Sequence, residues 1–316
     1  MNKSWQLVFC GLLSVLLALT YLLFDSGLDT EFILPNRLVK LLAMLTGGIA
    51  IACSTLCFQT ITENRILTPA IMGYESVYLL WQALLVLLFG LNSPLLQDLQ
   101  LNFVCSTLVL LGYSLLLQRW LFSRSLQDVW QMLWYGLVFS LVGSSLTQFF
   151  QYSSSPAEFS LLSQYSLASF QRAELNQTLF SALLTLLVAS FIWRQRHQLD
   201  LLQLGALQAA TLGVNRALLL RRQLALIAIL VAISTSLLGP TAFFGILIAN
   251  LSATFSRSQS HRHRLPLAAL CAVLLFLLAQ LLVEHLFNFK TSVGLLLQLC
   301  CGGYFFMFLI KHRQTS

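Results

Sequence analysis

The side chains able to do chemistry are few in this sequence, and none is arranged for catalysis. Five histidines, His197, His261, His263, His285 and His312, lie near the ends of apolar runs. The densest group is SRSQSHRHR at 256–264, where imidazoles cluster as they would around a metal. Three arginines interleave with them and repel a cation, so an ordinary basic loop is the simpler reading. Seven cysteines, Cys10, Cys53, Cys57, Cys105, Cys271, Cys300 and Cys301, all sit in apolar runs without a C-x-x-C pair, as small packing residues do. The sequence has no G-x-x-x-x-G-K-[ST] loop and no H-E-x-x-H, so it carries neither an ATP-hydrolysing motif nor a zinc-protease motif. No nucleophile–base pair or metal set falls at membrane depth, and an enzyme is not expected. What remains are polar groups in or beside apolar stretches, where ionisable residues are costly and functional by default. Glu75, six residues beyond Pro69, is the leading case. It either lines a route or a subunit interface, or stands in the headgroup zone and finds water. Ser144 and Gln148, with Ser140, Ser145 and Thr147, either contact a solute or hydrogen-bond between helices.

The elements that hold these residues are membrane helices. Of 316 residues 58% are hydrophobic and only 9% charged, and the mean hydropathy is +0.80. A bilayer core needs about 20 apolar residues per crossing helix. Ten spans are expected, near 6–24, 37–60, 70–91, 101–118, 128–150, 177–193, 222–238, 241–255, 265–284 and 293–310. The fold class is therefore all-α and polytopic, a single transmembrane domain over residues 1–316. The polar intervals near 151–176 and 194–222 are too short for a separate core. The apolar run at the N-terminus lacks an A-x-A-like cleavage site and reads as the first span. Gly239-Pro240 breaks a helix, so the segment after it is either a full span or a short helix starting part-way into the membrane.

Ten spans place both termini on one side. Of the 18 Lys and Arg residues, only Arg37, Lys40, Arg172 and Lys290 then fall on the opposite side; the rest, among them Arg194, Arg216, Arg221, Arg222, Arg262 and Arg264, share the side of the termini. Lys and Arg stay cytoplasmic during insertion, so both termini are expected in the cytoplasm. The net charge of +7 is a topology signature and needs no nucleic acid.

One cytoplasmic interval is distinctive: LLQLGALQAATLGVNRALLLRRQ, 201–223. Read as helix, Leu201, Leu204, Leu207 and Leu212 fall along one side, while Gly205 and Gly213 interrupt it. It forms one or two short helices under the membrane, either resting on headgroups or offering a shaped docking surface. LLQLGALQAATLGVN resembles L-x-x-L-G-x-x-x-A-x-x-L-G-V of the bacterial ABC importer permeases for iron–siderophore complexes and cobalamin, the FecCD/BtuC type. Leu204, Gly205, Ala209, Leu212, Gly213 and Val214 carry the match, and Ala206 stands where that family usually has an acid. Further resemblances follow in order along the chain: Pro35, Arg37 and Gln59 in the second span; Asn64, Leu67-Thr68-Pro69 and Gly73 in the following loop; Gly239, Pro240, Phe243 and Gly245; and Val293, Gly294, Gly302 and Phe305-Phe306 in the last span. Arg65, Ala249-Asn250 and Gly303-Tyr304 depart from the pattern, replacing prolines or their neighbours. Tyr74, Glu75 and Tyr78 stand where small residues are usual.

The resemblance implies a type II ABC importer permease with coupling helices at about 199–216, where Leu204, Gly205, Ala209, Leu212, Gly213, Val214 and Asn215 meet a dimer of ATP-binding subunits. ATP and Mg would be bound by those subunits, so this chain needs no cofactor of its own. It implies a cytoplasmic gate at Asn64 and Ile66, and pathway candidates in Gln59, Glu75, Ser144 and Gln148. It also implies a second permease subunit, a different homologue, in the bacterial inner membrane. A periplasmic or lipoprotein solute-binding protein would deliver a ferric siderophore, docking near Arg37 and Lys40, which could equally anchor the second span at the headgroups. Cobalamin or haem would be the alternative cargo within the family. An ion-coupled secondary transporter would need paired intramembrane charges or repeated broken helices, and only Glu75 and the Gly239-Pro240 break hint at those.

Overall fold

The first two helices, α1 (Lys3–Leu23) and α2 (Ile33–Ile61), are built from similarly apolar sequence and have opposite fates. α1 leaves Trp5, Val8, Phe9, Leu12 and Leu16 exposed, whereas α2 buries almost everything from Ala43 to Ile61. The difference is side-chain size. α2 carries Gly47, Gly48, Ala50, Ala52 and Ser54, which let neighbouring backbones approach. A Cβ on Gly48 would stand 3.2 Å from the Val273 side chain, and one on Gly47 would strike Leu238. α2 is therefore the axis of the bundle.

These elements come from a computed structural model that describes residues 3–24, 31, 33–123, 129–241, 243–256 and 258–313. After α2 a loop and a 3₁₀ turn (Pro69–Met72) lead to α3 (Tyr74–Phe89), short α4 (Pro94–Gln97), α5 (Leu99–Ser123), α6 (Val129–Ser153), α7 (Pro156–Tyr165) and α8 (Leu175–Arg194). Two short helices, α9 (Arg196–Leu202) and α10 (Ala206–Thr211), precede α11 (Arg216–Leu238), α12 (Phe244–Phe255), α13 (His261–Leu281) with a π turn at Leu282–Leu286, and α14 (Val293–Arg313). Around α2 pack α11, α13 and α8, with α1 against α13 and α6 against α3.

Ten apolar helices occupy the ten expected places. Among the described residues seven are long enough to cross a bilayer, while α3, α12 and α14 have shorter apolar stretches. α12 resolves the question left by Gly239-Pro240: it has 12 residues, about 18 Å of helix, and begins part-way along the bundle. Its approach to α2 requires glycine, because a Cβ on Gly245 would collide with the Thr55 hydroxyl. The interval 151–176 contains α7, which the span pattern did not anticipate. Its signal was present in Ser155-Pro156-Ala157-Glu158: Ser155 and Glu158 form a reciprocal capping box and Pro156 opens the helix.

Candidate functional site

At the end of the bundle that carries Arg194, Arg196, Arg216 and Arg264, here the basic end, α9 and α10 form a two-helix platform between α8 and α11. Gly205 opens α10 with φ +104° and Gly213 follows it with φ +84°. An added Cβ at either glycine would meet nothing within 4 Å. The turns therefore need glycine for backbone conformation and not for space. Val214 N–H donates to the Ala209 carbonyl and Gly213 N–H to Ala210, closing α10. Asn215 caps α11, its side chain accepting the Leu218 N–H at 3.1 Å. Ala209 is fully buried and Val214 packs on the core, which fixes the platform, while Leu204 and Leu212 stay more than half exposed (54% and 57%). The platform thus presents exposed leucines beside glycine turns.

Beside the platform lies the loop between α2 and the 3₁₀ turn. Glu63 ends α2 in a left-handed conformation, φ 52°. Asn64 accepts the Ile66 N–H at 2.9 Å through its side chain, and its own N–H returns to the Gln59 carbonyl. Gln59 is buried and donates to the Arg65 carbonyl at 2.7 Å. It pins this loop from within, while Ile66 is left 42% exposed. Between loop and platform opens a cavity of about 690 Å³, lined by Gln59, Thr60, Arg65, Asp200, Leu204, Ser260 and Arg264 among others.

On one wall of that cavity stands a cluster that motif reading missed. Asp200 of α9 accepts from His261 N–H at 2.8 Å, from His261 Nδ1 at 2.6 Å and from the Ser260 hydroxyl at 2.9 Å. The other ring nitrogen of His261 meets Thr60 Oγ1 at 2.8 Å. Burial alone would raise the Asp200 pKa, but the bonds from His261 and Ser260 outweigh it and hold the carboxyl below its ordinary value. This tether is therefore complete above the ordinary carboxylate range and is lost only as pH falls through that lowered value. His261 in the SRSQSHRHR group is thus a buried structural histidine; its ring faces Asp200 and Thr60.

Three other expectations change. Glu75 is not free: it accepts the Thr241 N–H at 2.9 Å, at the entry to α12. It lines a small pocket with Thr55, Thr68, Ser234 and Thr235, where a carboxylate complements the start of a short helix. Arg37 does not stand on an outer rim. It donates to the Tyr21 and Phe24 carbonyls at 2.8 and 2.7 Å, closing the end of α1, and pairs with Glu284 at 3.6 Å; the side chains are 13% and 6% exposed. Lys40, half-buried one turn further along α2, also lies within electrostatic reach of Glu284. Gln59 holds the loop and lines the cavity at the basic end. On α6, Ser140 bonds Ser76 at 2.8 Å and Thr147 is buried, so both pack; Ser144 is half-buried beside them and Gln148 is exposed.

An all-helical bundle with enough apolar helices to cross a membrane repeatedly, and with a paired-helix platform at its basic end, has the architecture of a transporter's membrane subunit. The FecCD transport family matches residues 4–312, and the chain belongs to that family of ABC importer permeases. The petrobactin import system permease protein YclO of Bacillus subtilis (strain 168) is 33% identical over 99% of both chains. Two petrobactin import system permease proteins of Bacillus anthracis also match. FatC is 29% identical over 90% of this chain and 80% of its own length, and FatD 25% over 92% and 84%. A solved ABC transporter of metal-chelate type, in an inward-facing conformation, superposes with a TM-score of 0.85 at 24% identity, over 98% of this chain and 100% of that one. That likeness concerns the fold.

Proposed function

We propose that the chain is one half of the membrane pathway of an ATP-driven importer for ferric siderophores, placed in the bacterial inner membrane with both termini in the cytoplasm. The observation that carries this reading is the exposed platform at the basic end. A chain without an ATPase motif keeps Leu204 and Leu212 out of the core, on turns that favour glycine. Such a projection fits a cleft on a separate ATP-binding subunit, and ATP and Mg belong to that subunit. The bias of Lys and Arg puts this end in the cytoplasm. Asn64 and Ile66, beside the platform, then form the cytoplasmic gate.

The cargo class rests on relatives named for petrobactin import. FatC and FatD are two different permeases with the same system name in one organism, and this chain is more similar to FatC. That supports a pair of unlike permeases, with Ser144, Ser145 and Gln148 of α6 facing the route between them. A lipoprotein or periplasmic binding protein delivers cargo at the opposite end. The test is uptake into proteoliposomes holding this chain, a FatD-like partner and the ATPase, with binding protein and radiolabelled ferric petrobactin outside, and haem and cobalamin as comparators. ATP-dependent uptake of the ferric siderophore is expected, with none when the ATPase is omitted. Uptake driven by an ion gradient without the ATPase overturns the proposal, because that is secondary transport.

A further inference from the structure

The platform and the gate loop face each other across the 690 Å³ cavity. A void transmits no force by packing, since its walls lack contacts across it. Movement of the platform reaches the loop around that wall, where α9 packs on α2 and α13 through the buried Leu199 and Leu202 and where one short polar route runs. Arg196 reaches only back to the Trp193 carbonyl at the end of α8; from His197 to Thr211, among the described residues, Asp200 is the side chain whose hydrogen bonds cross to another helix of the bundle. Its carboxylate grips the first turn of α13 by three bonds. The His261 ring then passes the contact to Thr60 on the last turn of α2. Thr60 follows Gln59, whose amide holds the Arg65 carbonyl beside Asn64 and Ile66.

We propose that Asp200 and His261 are the positioning residues through which displacement of the platform reaches the gate loop; this rests on the reading of 196–215 as the docking element. The protonation pattern suits a tether. An ionised Asp200 only accepts, so Nδ1 of His261 carries a proton. The single hydroxyl hydrogen of Thr60 is contested by the Leu56 carbonyl at 2.8 Å and by His261 Nε2. A neutral ring takes that hydrogen, and a protonated ring donates to the Thr60 oxygen and leaves the hydrogen to Leu56. Both forms keep the three-residue chain intact. Removing the carboxylate's charge weakens it, because an amide at position 200 keeps one neutral acceptor oxygen for the two His261 donors and turns an N–H toward the Ser260 hydroxyl.

The experiment uses the assembled complex in proteoliposomes, with Ile66→Cys as a reporter for a membrane-impermeant maleimide applied from the ATPase side. The chain without that reporter serves as background. In the parent complex nucleotide changes the labelling of position 66. Asp200→Asn is expected to retain the ATPase subunits and to hydrolyse ATP within about twofold of the parent, while uptake of ferric petrobactin falls by about tenfold or more. The nucleotide-dependent change in labelling disappears with it. Thr60→Val, which removes one hydroxyl, gives a smaller loss of the same kind, and it decides the matter by the same readouts should Asp200→Asn fail to assemble. Uptake and hydrolysis falling in proportion, or labelling that still answers to nucleotide in both variants, overturns the inference. A parent complex whose labelling and uptake ignore nucleotide altogether overturns the docking reading instead.

Discussion

At the end of the bundle near Arg37 and Arg172, guanidinium groups are sunk into the structure; at the basic end most face outward. Arg37 closes α1 and pairs with the buried Glu284. Arg172 lies over the Tyr165 ring at 4.8 Å and donates to the Leu167 and Leu238 carbonyls, fastening the end of α11 where Gly239 and Pro240 stop the helix. Each ties separate elements together. At the basic end Arg221 and Arg222 are exposed, and the platform is joined to α13 and α2 through one carboxylate and one imidazole around a cavity. On the proposed function the contrast is a division of labour: one end is cross-braced, and the other carries the element proposed to dock and to move.

The sharpest way to break that contrast is to cut a brace. Arg37→Met leaves the buried Glu284 with Gln280 and the more distant Lys40 and frees the end of α1, a loss of up to about 3–5 kcal/mol, the cost of breaking a buried pair. Thermal unfolding in detergent should show the loss, and Arg37→Met with Glu284→Met should recover most of it, since an apolar pair restores balance. Arg222→Met at the basic end should stay within about 0.5 kcal/mol, as exposed charges do. Equal losses at both ends would remove the distinction.

The helices and the platform turns could be read from the sequence because their causes are local. Apolar runs of membrane length mark nine of the ten elements within a few residues, and the Gly205 and Gly213 positions announce turns because left-handed backbone favours glycine. The tenth, α12, was readable only as an alternative. The polar pairs were not legible. Arg37 meets Glu284, Asp200 meets His261, and Glu75 meets Thr241, each across a long stretch of chain. Which apolar helix packs beside which is poorly encoded where every helix is apolar. Single charged residues therefore looked available for cargo or partners when the fold had already used them. The capping box of α7 is local and readable, but a helix of 10 residues is too short to register as a membrane span.

Gly213 offers the next test, at the docking end alone. Its φ of +84° is unfavourable for a β-branched residue, while no neighbour would touch an added Cβ. Gly213→Val should therefore reshape the turn without disturbing the core. About tenfold less ATPase should co-purify, in keeping with a strain of 1–2 kcal/mol per residue in the left-handed region, while the unfolding temperature of the isolated chain barely moves. Gly213→Ala should lie between. A stability loss as large as that of Arg37→Met would mean that the platform braces the bundle, contrary to the division of labour.

The smallest effect is the most discriminating about Glu75, which sits between the two ends. As a pathway charge it would tolerate no neutral replacement, because cargo would feel the missing charge. As a brace at the entry to α12 it supplies an acceptor for the Thr241 N–H at 2.9 Å. Glu75→Gln retains a carbonyl oxygen there and should leave both stability and uptake nearly unchanged. Glu75→Ala leaves the donor without that acceptor and should cost about 1 kcal/mol, seen as a modest drop in unfolding temperature with uptake per folded complex preserved. If Gln at this position abolishes uptake while the protein stays as stable as the parent, Glu75 acts on cargo, and the middle of the bundle belongs with the moving end and not with the braced one.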